Sequence, residues 1–256
     1  MIPKIIHYCW FGRSPLPESA VKCIDSWKKF FPDYEIKEWN EDNFDINIIP
    51  YTKEAYEAKK YAFVSDYARM WILYNHGGLY FDTDVEVIKP MDDIVERGPF
   101  MGIEVEAKFG ELPLVAPGLG LGVNPGLGLG VNPGLGLYKE ILDYYASLHF
   151  LCKDGSLNQV TIVKHVTNVL VTNGLKHTND LQQVAGVWIY PREYFNPLND
   201  NTGQLVITEN TRSIHWYTKT WMKKQNPIRT WIVRRIHRYF GNDSLAWLKK
   251  IIHKNS

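Results

Sequence analysis

The sequence lacks most of the features that would place it quickly. Three cysteines in 256 residues, Cys9, Cys23 and Cys152, have no paired spacing and are odd in number. That excludes a disulfide framework and a cysteine-rich zinc site and fits a reducing compartment. Charge of one sign is also missing. The formal net charge is +1, from 29 Lys and Arg against 28 Asp and Glu, so no charge argument points to nucleic acid. No uninterrupted apolar run approaches the ~20 residues of a bilayer span. The opening Met1–His7 reads as a strand rather than as a basic segment before a long apolar one, so a cytoplasmic location is expected. What is abundant is aromatic: 14% of residues, which suits stacking on bases and sugars as well as core filling. Length and the 45% hydrophobic share fit one α/β domain that buries its own core.

Lys4–Trp10 is a short apolar strand, Glu18–Phe30 has helical spacing at Val21, Ile24 and Trp27, and Tyr34–Trp39 alternates as a strand. A βαβ unit in the first forty residues favours a parallel sheet with ligands at strand C-terminal ends, here near Tyr8-Cys9-Trp10. Glu54–Tyr74 reads as one helix, ended by Asn75-His76-Gly77-Gly78. Leu79–Ile88 reads as one strand. Residues 117–136 repeat Pro-Gly-Leu-Gly-Leu-Gly-Val-Asn in tandem, a density of glycine and proline that forbids a helix and disfavours a strand. The expectation there is a lengthened surface loop, without the Lys-Ser/Thr that a phosphate-cradling loop needs. Tyr138–Phe150 and Leu157–Val171 read as helices, Val187–Tyr190 and Gln204–Thr208 as strands. Residues 230–256 form a basic, aromatic amphipathic segment, set apart from a main domain over 1–229. It suits either an anionic membrane surface or packing on the domain.

Asp82-Thr83-Asp84 carries the chemistry. On a strand the two carboxylates share one side, and such hard oxygen donors suit Mg²⁺ or Mn²⁺ with substrate phosphates. Taken alone, the triplet is equally a solvated strand end. Set in an apolar strand, the paired charges require a cation nearby. Asp66 and Arg69 lie one helical turn apart. They read as a local ion pair, or as a polar edge in which Arg69 holds an acceptor oxygen and Asp66 binds sugar hydroxyls. His7 reads as a hydrogen-bonded core histidine, Glu86 as a rim residue, and Glu104 and Glu106 as solvated positions on a strand.

Ser65-Asp66-Tyr67-Ala68-Arg69 followed by Gly77-Gly78-Leu79-Tyr80-Phe81-Asp82-Thr83-Asp84 resembles the core of family 32 glycosyltransferases. The opening Ile2–Gly12 and the segment Ser213-Ile214-His215-Trp216 … Thr220-Trp221 are similar to that family's first and closing motifs, with Thr220 where serine is common. The resemblance implies a GT-A fold, a Rossmann-like mixed sheet flanked by helices. It also implies retaining transfer from a nucleotide-sugar, UDP- before GDP-linked, with Mn²⁺ or Mg²⁺. Trp10, with Tyr8 beside it, would meet the donor base, and Asp66 and Arg69 the donor sugar. Asp82 would contact sugar or ribose and hold the metal through water. Asp84 would bind the metal directly, and His215 and Trp221 would close over the diphosphate. The acceptor would be a glycan or lipid-linked sugar, as in bacterial capsule synthesis. Other readings of the carboxylates are a phosphohydrolase of haloacid-dehalogenase type, a calcium loop and an inactive carbohydrate-binding module. The first wants Thr or Val where Glu86 stands, and the second wants Gly where Val87 stands.

Overall fold

The computed structural model describes residues 2–108, 110–123, 135–218 and 227–240. The N-terminal βαβ unit forms as the periodicity requires: β1 (Ile5–Cys9), α1 (Glu18–Phe30) and β2 (Glu35–Trp39), with β1 and β2 parallel. Helix α1 buries Ile24 and Trp27 as expected, with Ala20 and Cys23 completing the buried face and Val21 exposed. The helical stretch expected over Glu54–Tyr74 is two helices, α2 (Pro50–Glu57) and α3 (Tyr61–His76). Lys59 between them takes φ +56°, a left-handed residue with no glycine to announce it. Gly77 ends α3 at φ +65° as expected.

The expected strand over Leu79–Ile88 is also interrupted. It divides into β3 (Gly78–Tyr80) in the main sheet and β4 (Val85–Val87) in a separate pair, with Asp82-Thr83-Asp84 in the turn between them. The turn closes with the Val85 amide donating to the Asp82 carbonyl at 3.0 Å. After α4 (Asp92–Arg97) come β5 (Phe100–Val105), β6 (Leu114–Ala116) and β7 (Leu121–Val123). The Gly/Pro repeat is therefore not all surface loop. Its first copy supplies β7, which lies between β3 and β5 inside the main sheet. Glycine is required there by packing: a Cβ on Gly122 would lie 2.5 Å from the Phe100 ring. Residues 124–134 of the repeat fall outside the described residues.

The chain continues through α5 (Leu135–Ala146), α6 (Ile162–Thr172), β8 (Gln182–Val184), β9 (Val187–Tyr190), α7 (Arg192–Phe195), β10 (Leu198–Asn199), β11 (Gln204–Leu205), β12 (Ser213–His215) and α8 (Pro227–Phe240). The main sheet runs β2-β1-β3-β7-β5-β9-β8, with β6 also on β5, and mixes parallel and antiparallel pairs. Side-chain alternation splits the core in two. Cys9, Tyr80, Met101 and Leu121 pack with α2, α3, α5 and α6 on one face. Ile6, Tyr8, Leu79 and Phe100 pack with α1, α4 and α7 on the other. This is a helix–sheet–helix α/β domain, as expected. Among the described residues no helix is long and apolar enough to cross a membrane.

Candidate active site

The carboxylates lie where a strand of the main sheet stops. Strand β3 is parallel to β1 and follows α3, so the turn after β3 faces the first turns of α3 and the loop before β7. Arg69, on the buried face of α3, extends across this gap. Its Nη1 donates to Asp82 Oδ2 at 3.1 Å, its Nη2 to Asp66 Oδ1 at 3.1 Å, and its Nε to the Ser65 carbonyl at 3.1 Å. The guanidinium also lies over the Tyr80 ring at 4.9 Å, and the Tyr80 hydroxyl donates to Asp82 Oδ1 at 3.2 Å. One buried cation thus serves two carboxylates. Burial works against the Arg69 charge, but Asp82 and Asp66 keep it firmly protonated. Asp66 receives only part of that cation. Its burial pushes the carboxyl up to about 7, against the pull of Arg69, and neighbouring Asp82 adds to the rise.

Asp84 belongs to a different set of partners, all from the C-terminal segment. Strand β12 pairs antiparallel with β4, placing His215 opposite Val85. His215 Nε2 lies 3.2 Å from Asp84 Oδ1, and the amide and hydroxyl of Thr218 donate to Oδ2 at 2.9 and 3.1 Å. Burial alone would raise the Asp84 carboxyl. The His215 charge and the Thr218 donors outweigh it and hold the group below the usual range. His215 responds in kind: burial lowers its pKa, Asp84 raises it, and the net shift is upward. Glu86 is not free at the rim, because Trp216 Nε1 donates to its Oε2 at 2.8 Å.

Asp66, Arg69, Asp82, Asp84 and His215 therefore form one electrostatic cluster. Tyr8 and Trp10 make their side-chain hydrogen bonds elsewhere: the Tyr8 hydroxyl to Glu38 at 2.7 Å and the Trp10 indole to the Ser14 carbonyl at 2.6 Å. Trp221 lies outside the described residues. His7 is the core histidine expected. The Trp39 indole donates to its Nδ1 and its Nε2 bonds the Gly77 carbonyl, a neutral tautomer that burial favours by lowering the pKa to about 4.

Residues 17–101 match the family model described as the glycosyltransferase sugar-binding region containing a DXD motif. The matched region carries Asp66, Arg69, Asp82 and Asp84. Relatives match part of the chain. Inositol phosphoceramide mannosyltransferase 3 of Schizosaccharomyces pombe is 33% identical over 98 residues, covering 37% of this chain and 27% of that protein. The uncharacterized glycosyltransferase L373 of Acanthamoeba polyphaga mimivirus is 35% identical over 106 residues, covering 39% and 42%. The chain matches less than half the length of each of these relatives. Among solved structures, a glycosyltransferase involved in glycosylation of the PBCV-1 major capsid aligns over 84% of this chain and 95% of its own, at 12% identity and TM-score 0.48. The PaToxG glycosyltransferase aligns over 67% and 69%, at 19% and 0.46.

The DXD pair suits a divalent ion of a particular kind. Among the described residues no group of three His, Cys, Asp or Glu is arranged to hold a metal ion, so among them the Asp82 and Asp84 carboxylates are the donors the turn could offer. Mg²⁺ and Mn²⁺ accept such a sparse set, keeping waters and taking substrate phosphate oxygens for the rest. Asp84, whose carboxyl is held below the usual range, could serve as an anionic ligand, with Asp82, shared with Arg69, beside it.

Three site residues escape sequence reasoning. Gly118, in the first repeat copy, accepts the Asp82 amide on its carbonyl at 3.1 Å. A Cβ there would lie 1.8 Å from Asp82 Oδ2 and 2.7 Å from Arg69 Nη1, so nothing larger than glycine leaves the carboxylate in place. Glu104, expected to be solvated, is half-buried and faces the cluster. Burial raises its carboxyl while His215 and the Tyr217 hydroxyl pull the other way. Tyr217 stacks on His215 with ring centroids 4.0 Å apart. Only strand alternation hinted at Glu104, and nothing local pointed to Gly118 or Tyr217.

Proposed function

We propose that the chain is a metal-dependent glycosyltransferase that moves a hexosyl or N-acetylhexosaminyl group from a nucleotide-sugar to a hydroxyl of a glycan or lipid-linked acceptor. The observation that carries this reading is the Asp82–Asp84 turn, held between the buried Arg69 and His215. A bound divalent ion would offset the diphosphate charge and stabilise the departing nucleotide. Around it, Asp84 would hold the ion, with Asp82 assisting. Arg69 and Asp66 would orient donor-sugar hydroxyls, and His215 and Thr218 would fix the Asp84 carboxylate. Retention of anomeric configuration, and a GT-A classification of the sheet, follow from the family resemblance. Trp10 is assigned to the nucleobase and Trp221 to the closing segment on the same ground.

UDP-sugars come first in the donor panel, and the names of the yeast relatives add mannose to it. A role in surface-polysaccharide synthesis on the cytoplasmic side of a membrane fits the basic segment 230–256. Arg234 and Arg238 of α8 already bond Asp200 and Thr202, so a membrane contact would fall to the rest of that segment. Melting curves with UDP or GDP, with and without Mn²⁺, test the binding half of this reading. One nucleotide should raise the melting temperature by several degrees only when Mn²⁺ is present, and Asp84→Asn should erase the Mn²⁺ increment. A nucleotide effect indifferent to both would remove the metal from the account.

A further inference from the structure

Behind Tyr217 lies a cavity of about 540 Å³, within the ~300–1,000 Å³ of small-molecule sites. Its walls come from the C-terminal end of β5, running Glu104 to Lys108, from Asn179, from Arg192 of α7, and from Asn199–Asn201 in the β10–β11 turn. Three features mark it as built rather than incidental. Tyr217 itself holds φ +52°, a conformation that non-glycine residues adopt only when their surroundings impose it. What imposes it is contact on both sides. Its ring lies on His215, and its hydroxyl accepts from Asn196 Nδ2 at 2.6 Å and bonds the Glu104 carboxylate. Tyr217 and His215 thus lie between Asp84 of the DXD turn and the cavity.

The lining chemistry is the second feature. Carboxylates and cations alternate and largely neutralise one another: Glu106 lies 3.9 Å from Arg192, and Asp200 is clamped by Arg234 at 3.1 Å. With Arg234 on Asp200, the three carboxylates Glu104, Glu106 and Asp200 face three cations, so the lining offers a phosphate no net positive charge, whereas neutral hydroxyls find donors and acceptors together. The third is unmet bonding. Nε of Arg192, a lining residue, is buried without a hydrogen-bond partner among the described residues.

We propose that this cavity is the acceptor subsite and takes a neutral hexose residue at the end of a glycan. Glu104, Glu106, Asn179 and Arg192 would bind its hydroxyls and present one of them past Tyr217 to the donor. The inference rests on the transferase reading above.

Saturation-transfer NMR on the full chain tests it, using methyl α-mannoside, methyl α-glucoside, methyl β-galactoside and methyl N-acetyl-β-glucosaminide as probes. At least one should bind wild type, and its signal should survive excess UDP or GDP with Mn²⁺ and excess inorganic phosphate. Asn201→Trp, which fills the mouth from an exposed turn, and Glu106→Ala should each reduce that signal at least fivefold. Two variants on exposed positions guard against one failing to fold. The assignment is overturned if no glycoside binds, if nucleotide or phosphate displaces it, or if both folded variants bind like wild type. Nucleotide signals in the same samples separate the two failures: nucleotide bound without glycoside sinks the cavity alone, and neither bound sinks the transferase reading as well.

Discussion

Asp82 and Asp84 are one residue apart, yet they are held by regions built in different ways. Asp82 is held from the core. Arg69 has only 6% of its side chain exposed and reaches it from a sixteen-residue helix. Asp84 is held from the far end of the chain, by a segment whose β12 pairs with β4 over three residues and which bonds the domain further through Arg212, Trp216 and Tyr217. One half of the cluster is thus held by a helix of the core, and the other by a segment more than a hundred residues further along the chain.

The comparison is broken most severely at Arg69. Arg69→Ala leaves Asp66 and Asp82 without their shared cation and should cost about 3 kcal/mol or more in urea unfolding. A loss under about 1 kcal/mol would mean that the core side is not preorganised by charge. Gly118→Ala comes next. The added methyl must displace Asp82 or Arg69, for about 1–3 kcal/mol of stability and complete loss of Mn²⁺-dependent nucleotide binding. Retained binding would show that Asp82 can move without consequence. On the other side, His215→Gln should cost only about 1 kcal/mol in stability while weakening Mn²⁺-dependent nucleotide binding at least tenfold.

The pH dependence sharpens the contrast. Asp66 binds its proton more tightly folded than unfolded, so its contribution falls as pH rises from the ordinary carboxylate value of about 3.9 to about 7. Asp66→Asn should flatten stability across that window. His215 is also raised, and its contribution is complete below about 6.5 and disappears as pH passes its folded value. Asp84 is lowered, and its contribution fails only on the acid side, as pH falls through its folded value. Stability profiles of the three single variants would distinguish these windows; identical profiles would contradict the division. The smallest effect is expected at Glu86→Gln, which weakens one bond to the Trp216 indole and should cost under about 1 kcal/mol, read by thermal melting.

Much of the core side was legible in the sequence, because periodicity and chemistry agree there. Helix α1 begins and ends where its spacing says, Gly77 ends α3, and the charge of the carboxylates correctly demanded a cation. The errors have physical causes. An apolar run on both sides of Asp82 looks like one strand, but the two halves pair in different sheets, a long-range choice that alternation does not encode. Lys59 breaks a helix without glycine or proline. The repeat has poor strand propensity, yet its glycines are what let β7 approach Phe100 and let Gly118 approach Asp82, so packing overrode propensity. The closing side was legible only through family resemblance. Tyr217 and Glu104 meet across more than a hundred residues of sequence, with no local pattern to pair them.

The most direct test is donor hydrolysis across UDP- and GDP-sugars with Mn²⁺, comparing wild type with Asp84→Asn. The account predicts nucleotide release from one donor by wild type, lost on removing Mn²⁺ and reduced at least a hundredfold in Asp84→Asn. Release that is equal in the two proteins, or no release from any donor, would contradict it.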